Sequence, residues 1–348
     1  MLVVEGRTIE MERIAGRKGL GMMKLLGFGM LAFLSLTITK AKADERIDQF
    51  EAMILLKVNK STLKAELRTL ERPGYHSQLL HSFRIAIGKG IGDKVREGDN
   101  RTPEGIYFSL KHIEESNLLA SKYGQSAIPL NFPNHFDRLQ GKTGYGIWLH
   151  GAGNDKRMEE SNVTEGCIAF YNADILKLEQ WLLPNRGAVV IAKNFSEVNR
   201  QDDMKEVFSL TTAWLQAWKN KQIDNYISFY DSDFRNSHRD LKAYKSYKRR
   251  VFGSYKKMEV KTDLIRVLTH PKYAVSFMNQ DFHGDNRFHS LGRKVLYWQK
   301  TANGWKIIKE FFDRKKFSLL PFSDKDLQYL KGNPKTASNG PLSIKSSL

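Results

Sequence analysis

The sequence predicts an α+β chain in two folded parts, a β-rich part followed by one that runs helices first and sheet second. Three observations carry that reading. Between residues 52 and 193, short apolar segments alternate with Gly, Pro, Asn and Asp punctuation, the pattern of a β-rich domain. From about residue 206 the period changes, with Val207, Leu210, Trp214, Leu215 and Trp218 forming a helical stripe ahead of several strand-like runs. The length of 348 residues fits two domains, and 41% hydrophobic content is enough to give each a core.

Residues 1–43 read as a secretory signal peptide. Lys24 precedes an uncharged apolar run over 25–38, and Ala41-Lys42-Ala43 supplies a small-residue cleavage site behind it. A helix of that run rises only about 21 Å against a hydrocarbon core of about 30 Å, so no stable membrane span is expected. Glu5, Glu10 and Glu12 make the leading region unusually long, which points to translation starting at Met22 or Met23. Residues 44–57 read as a partly amphipathic N-terminal helix leading into a strand, a candidate for pairing two protomers as a homodimer.

Strands are expected at Ser82–Gly88, Gly105–Leu110, Gly144–His150 and Gly187–Ala192. One helix interrupts them, with Asn172 as N-cap, Asp174 in the first turn, Ile175, Leu178 and Leu182 at helical spacing, and Pro184 behind. Residues 194–205 read as a polar linker. The second domain, 206–320, continues with an apolar segment at Ile223–Tyr230 and strands at Met258–Leu268, Tyr273–Phe282, Arg293–Gln299 and Trp305–Phe312. Asn303-Gly304 between the last two favours a type I′ hairpin turn. The polar residues 333–348 are expected to be disordered.

The chain holds 56 Lys+Arg against 38 Asp+Glu, a net charge of +18. Residues 1–43 contain seven of the basic and three of the acidic residues, so the exported chain keeps +14. Such a balance calls for a polyanionic partner. Export excludes nucleic acid, and the acidic polymer outside the cytoplasm is the cell wall, whose peptides carry free carboxylates. The single cysteine excludes an internal disulfide framework and any Cys-rich zinc site.

That cysteine lies in Thr164-Glu165-Gly166-Cys167-Ile168, seventeen residues after His150 at a strand end. Strand alternation puts Ile147 and Leu149 on one face and Gly146, Trp148 and His150 on the other, so His150 can face a cleft while its neighbours face the core. A thiolate is the nucleophile, and its pKa falls beside an imidazolium or a helix start. His150 near its usual pKa of about 6.5 would take the thiol proton and return it to a leaving amine, with activity falling on acidification. The backbone N–H groups of Gly166 and Cys167 are the natural oxyanion donors.

The segment Ile147–Asn172 resembles the active-site motif of the L,D-transpeptidase (YkuD-type) catalytic domain, a histidine-glycine at a strand end, a loop, then Ser/Thr-x-Gly-Cys-Ile. Gly98–Gly105 resembles the same family's Thr-Pro-x-Gly block, and the similarity covers roughly residues 52–193. The resemblance implies a β-rich L,D-transpeptidase-like domain with Cys167 as nucleophile, His150 as base and Gly151 as its backbone orienter. Tyr145, Trp148, Thr164, Glu165, Gly166 and Ala169 would form the oxyanion and substrate side. The family usually has His where this chain has Glu165 and Arg where it has Ala169. Those departures, with the appended domain, look like the cell-shape L,D-carboxypeptidases of curved and helical bacteria. The resemblance thus implies a periplasmic hydrolase that removes the terminal D-alanine from peptidoglycan tetrapeptide stems. The alternatives are a cross-linking L,D-transpeptidase and a non-catalytic wall-binding scaffold. Residues 214–234 and 292–310 resemble the nuclear transport factor two-like cone, a curved sheet wrapped by helices.

Other signals are set aside. Asp281, His283, Asp285 and His289 straddle what should be a hairpin loop with no diagnostic ligand spacing, so no metal site and no cofactor is expected. Gly88–Lys94 lacks the order of a phosphate loop. Tyr244–Lys257 interleaves Lys and Arg with aromatics and reads as a solvated or wall-binding face. Arg101 and Glu104 read as turn residues that could border the cleft.

Overall fold

The computed structural model describes residues 50–70, 77–182, 184, 186–317 and 320–322. The signal peptide, the proposed start codons and the 333–348 tail lie outside the described residues. Over 50–57 the expected helix is instead strand. Phe50–Ala52 pairs antiparallel with Leu320–Phe322, and Ile54–Asn59 enters the main sheet. Its run of Ile54, Leu55, Leu56 and Val58 is apolar on both faces, which suits a strand buried on two sides better than an amphipathic helix.

The first part holds two sheets around one core. A five-stranded mixed sheet runs in the order Leu79–Arg84, Lys64–Thr69, Ile54–Asn59, Gly187–Ala192, Gly105–Phe108, with only the Ile54–Asn59 and Gly187–Ala192 pair parallel. A four-stranded sheet runs Ile168–Phe170, Trp148–Gly151, Ser126–Pro129, Ile113–Glu114. Leu56, Val58 and Val189 from the first sheet meet Ile128, Leu149 and Phe170 from the second, together with Ile175 and Leu178 of the helix Asn172–Glu179. Expected strand bounds shift at one functional place. Gly144 and Gly146 have φ of +99° and +70°, outside the extended region, so the strand begins at Trp148 rather than at 144.

The second part lays helices Gln201–Lys219, Ile223–Ser228 and Leu241–Ser254 on an antiparallel sheet of four long strands, Met258–His270, Tyr273–Gly284, Phe288–Thr301 and Gly304–Asp313. The first helix begins inside the expected 194–205 linker, at Gln201, because Asp202 and Asp203 complement its N-terminal dipole. The turn at 302–303 is not type I′. Neither Ala302 nor Asn303 has positive φ, and Gly304 at +84° takes the left-handed position, as in a G1 bulge. The basic helix is not simply a solvated face. Tyr244 and Phe252 are buried, and the Lys248 ammonium sits 5.2–5.5 Å from the ring centres of Trp218, Tyr226 and Tyr244. Among the described residues no helix is long and apolar enough to cross a membrane.

The strand alternation of Tyr273–Gly284 joins the two parts. Ala274, Met278 and Phe282 face the helices, whereas Tyr273, Val275 and Phe277 pack on Leu55, Ile106, Phe108 and Val190 of the five-stranded sheet. At the centre the Tyr273 hydroxyl accepts from Ile106 N–H (2.6 Å) and Asn134 Nδ2 (2.8 Å) and donates to Ile106 O (3.1 Å), all of them buried. Its ring stacks on Phe136 at 4.2 Å. Tyr273→Phe keeps the stack and strands two buried donors. It should lower stability by about 1–3 kcal/mol in chemical denaturation, and an unchanged midpoint would refute this account of the joint.

Candidate active site

The strand Trp148–Gly151 is flanked antiparallel by Ser126–Pro129 and parallel by Ile168–Phe170, with Ile168 opposite Leu149 and Ala169 opposite His150. Leu149 and Ile168 are both fully buried in the core. Alternation therefore sends Trp148, His150, Cys167 and Ala169 to the other side, where they line one cleft of about 610 Å³. Tyr145, Thr164 and Glu165 line the same cleft, while Gly151 and Gly166 stand behind its wall.

The His150 Nδ1–H donates to Gly151 O at 2.6 Å, which fixes the tautomer and leaves Nε2 as the basic nitrogen. Tyr123 packs edge-on against the imidazole at 5.2 Å and against Trp148 at 4.9 Å. Burial pushes the His150 pKa down to about 4. The Gly151 carbonyl opposes that shift, and Arg157 and Lys122 add to it. The expectation of an ordinary histidine pKa is corrected by this burial. The Cys167 thiol donates to Gly146 O at 3.3 Å. Burial raises its pKa, against the Trp148 N–H and Lys122, which favour the thiolate. Its hydrogen-bond partners thus come from the glycine loop and the neighbouring strand, not from the helix at Asn172. The resting pair is neutral thiol and neutral imidazole.

Two further expectations change. Gly166 has φ +126°, and an added Cβ there would lie 2.8 Å from Arg101 O, so only glycine fits. Its N–H, however, donates to Thr164 Oγ1 at 3.2 Å, whose hydroxyl donates to Cys167 O at 2.7 Å. That commits Gly166 to shaping the loop that carries Cys167. Asn172 is the first residue of its helix rather than the cap. Its amide donates to Ala152 O (2.8 Å) and Asp155 Oδ1 (3.1 Å) and its oxygen accepts from Gln125 N–H (3.1 Å), which pins the loop after His150.

Ala169 lies in a small apolar cluster with Ala86, Ala152, Met158 and Val163. The cations of the cleft come from elsewhere, among them Lys89, Lys122 and Arg157. Lys122 pairs with Glu165 at 3.1 Å, and Arg157 donates to Val163 O at 3.3 Å. Lys122, Tyr123 and Arg157 carry no signal in the sequence because they sit on a one-turn helix and a short 3-10 helix with no motif of their own. Arg101 and Glu104 do not line the cleft. Glu104 pairs with Lys60 at 2.9 Å, and Arg101 donates to Asp93 O at 3.4 Å.

Against known families, residues 64–191 match the L,D-transpeptidase catalytic domain, and residues 206–311 match the Cds6 C-terminal NTF2-like domain. The chain carries an L,D-transpeptidase catalytic domain followed by an NTF2-like domain. Over 138 residues it is 31% identical to YafK of Escherichia coli strain K12, a protein named as an L,D-transpeptidase. That match covers 38% of this chain and 50% of YafK, so the chain spans about half the length of the curated relatives it matches. Among solved structures, Bd1075 of Bdellovibrio bacteriovorus is similar at a TM-score of 0.63 and 27% identity, covering 79% of this chain and 94% of that one. The helical cell shape determining protein Pgp2 of Campylobacter jejuni shares the fold at a TM-score of 0.61 and 24% identity, covering 76% and 93%.

In the L,D-transpeptidase domain a raised thiol pKa makes Cys167 slow toward alkylation at neutral pH. Iodoacetamide labelling followed by mass spectrometry should run several-fold slower than for an unstructured cysteine peptide at pH 7 and accelerate through pH 9. Rapid labelling already at pH 6 would show a standing thiolate and overturn the neutral pair.

Proposed function

We propose that the protein is a periplasmic peptidoglycan L,D-carboxypeptidase that removes the terminal D-alanine of tetrapeptide stems through a Cys167 acyl-enzyme. The observation that carries this reading is the convergence of Cys167 Sγ, an oriented His150 and cationic side chains in one cleft. His150 Nε2 takes the thiol proton as Sγ attacks the carbonyl carbon between the diamino acid's L-centre and D-alanine. The Cys167 N–H is the backbone donor for the oxyanion, since Gly166 N–H is already engaged. Collapse breaks the C–N bond, and His150 returns the proton to the departing amine. Water then attacks the thioester, giving its proton to His150, and the thiolate leaves and is reprotonated. A neutral pair suits this sequence, because proton transfer and attack are coupled and no ion pair must first form.

We assign Lys122, which lines the cleft and favours the Cys167 thiolate, to the terminal carboxylate of the stem. It would exchange Glu165 for the substrate, and a cation here offsets the arginine that the motif lacks at Ala169. Hydrolysis is favoured by the missing arginine at Ala169, and a role in cell shape by the fold shared with a helical cell shape determining protein. Cross-linking by a second stem's amine is the rival, differing only in what resolves the acyl-enzyme. Export to the periplasm is supported by that proposed substrate and by the signal-like sequence of residues 1–43.

Muropeptides incubated with the mature protein should lose one alanine, as read by mass spectrometry. Cys167→Ala should abolish that loss, and His150→Ala should slow it by about 10²–10⁴-fold. New cross-linked dimers would establish the transpeptidase instead, and no turnover with intact sacculus binding would leave a scaffold. The base form of His150 persists down to about pH 4, so kcat should stay nearly flat from pH 5 to 8. A fall with a midpoint near 6.5 would refute the burial argument. Lys122→Ala should raise KM about tenfold with little change in kcat, the half-exposed site moderating a charged hydrogen bond. An unchanged KM would remove it from carboxylate recognition.

A further inference from the structure

On the face of the C-terminal sheet turned away from its helices, the hairpin of Tyr273–Gly284 and Phe288–Thr301 brings together three side chains that the catalytic reading does not use. His283 and His289 are directly opposite each other across the strands, and Asp281 lies two residues before His283, on the same face. The four residues expected in a hairpin loop therefore divide. Three sit on paired strands, and Asp285 sits in the turn, where it accepts from Lys257 N–H at 2.7 Å. The imidazole rings stack at 4.1 Å with 14° between their planes. Both Nε2 atoms converge on one oxygen, Asp281 Oδ1, at 2.9 Å from His283 and 2.7 Å from His289. Among the described residues this is the one group of three or more His, Cys, Asp or Glu whose ligand atoms all lie within 4.8 Å of one another.

We propose that Asp281, His283 and His289 form a binding site for a divalent transition-metal ion such as Zn²⁺. Two imidazole nitrogens and one carboxylate oxygen are donors suited to Zn, Ni, Co or Fe rather than to Ca or Mg. Ligand bonds of about 2.1 Å place neighbouring donor atoms about 3 Å apart at octahedral angles and about 3.4 Å apart at tetrahedral ones. The two Nε2–Oδ1 separations are already close to that edge, and the stacked rings need only turn about their side-chain bonds to aim both Nε2 lone pairs at one ion. Binding requires each imidazole to carry its proton on Nδ1 and offer the Nε2 lone pair, and the open positions go to water. Glu259, directly opposite His283 on the next strand, is a further oxygen donor within the same row. It now pairs with Lys261 at 3.1 Å.

The scaffold is stiff where precision is needed. Beneath the site Phe282 packs on Tyr255 at 5.7 Å and on Phe288 at 5.9 Å. Asp285 ties the turn to Lys257 and to Arg287, the latter at 2.8 Å. Lys257, Lys261 and Arg287 repel a cation, and the three ligands are each about one-third to one-half exposed. Those two factors set the expected affinity in the micromolar range rather than at that of a closed structural site. None of these residues lines the catalytic cleft, so the ion would fix or extend the C-terminal surface, not take part in thiol chemistry.

The test uses untagged, chelator-treated full-length mature protein carrying Cys167→Ala, so that the thiol cannot bind metal. ZnCl₂ is titrated by calorimetry, and CoCl₂ by its visible absorption. The expected result is one equivalent bound with micromolar affinity, lost at least tenfold in Asp281→Asn and abolished in the His283→Gln/His289→Gln pair. Thermal denaturation without metal checks that each variant is folded. Muropeptide trimming by the otherwise wild-type protein carrying the His pair should be unchanged, which separates this site from the catalytic reading. No saturable binding at 100-fold micromolar excess, or binding that survives the double substitution in a folded protein, overturns the proposal.

Discussion

The parallel pairing of two short strands, Trp148–Gly151 and Ile168–Phe170, is the constraint on which the site depends. Parallel neighbours need a crossover, and here residues 152–167 supply it, so His150 and Cys167 stand at opposite ends of one loop. Strands this short contribute few hydrogen bonds of their own. Their register is set by Leu149 and Ile168, which are side by side and fully buried. A slip of one residue would expose both and bury His150 in hydrocarbon. The loop ends are clamped independently, at Asn172 by its three hydrogen bonds and at Cys167 by the Thr164 hydroxyl on its carbonyl. Geometry at the sulfur is therefore decided by packing a few residues away.

That same packing sets the electrostatics. A histidine buried beside two cations and oriented by a carbonyl stays neutral, and a buried thiol does likewise. An ion pair in this place would need charges to be created in a desolvated pocket before substrate arrives. Keeping both groups neutral avoids that cost and, in the proposed cysteine mechanism, reserves charge separation for the step in which the carbonyl oxygen also becomes negative. Lys122 and Arg157 add to the burial that disfavours imidazolium at rest, and in that mechanism they would favour the anionic species on its path. The substitution of Ala169 for a cation is coherent with this arrangement, since its side chain closes an apolar cluster and leaves positive charge to the loops.

Period-based features were legible in the sequence, and register-based features were not. The alternation of Ile147 and Leu149 against Trp148 and His150 anticipates the face that each occupies, and the helical stripe of Val207, Trp214 and Trp218 anticipates the C-terminal core. The role of Gly151 as an orienting carbonyl was suggested by resemblance and matches the contact made at His150 Nδ1. What sequence hid were consequences of long-range pairing. Ile54–Asn59 was misread at its start because a strand buried on both faces has no alternation to detect. Lys122 and Arg157 reach the cleft from segments whose local pattern is ordinary. Asp281, His283 and His289 have uninformative spacing along the chain, yet a two-strand register puts them on one face. The histidine pKa was misjudged because burial depends on Tyr123 and on a loop that approaches from outside the motif.

The second domain is better understood as part of the catalytic scaffold than as an attachment. The five-stranded sheet has one face toward the active-site core and the other toward Tyr273, Val275, Phe277 and Tyr297, so without the NTF2-like sheet its apolar residues Met53, Leu55, Ile106 and Val190 would meet water. The contact also reaches toward Cys167 through polar groups. Lys272 pairs with Asp93, Asp93 accepts from the Glu104 N–H at 2.7 Å, and Thr102, two residues earlier, accepts from the Gly88 N–H at 2.9 Å while facing the Cys167 carbonyl at 3.4 Å. A rigid sheet therefore anchors the loop that backs the cysteine. Any ligand held by the NTF2-like domain sits on the same framework that positions the thiol, so retaining both domains serves the geometry of the cleft as well as any binding by the cone.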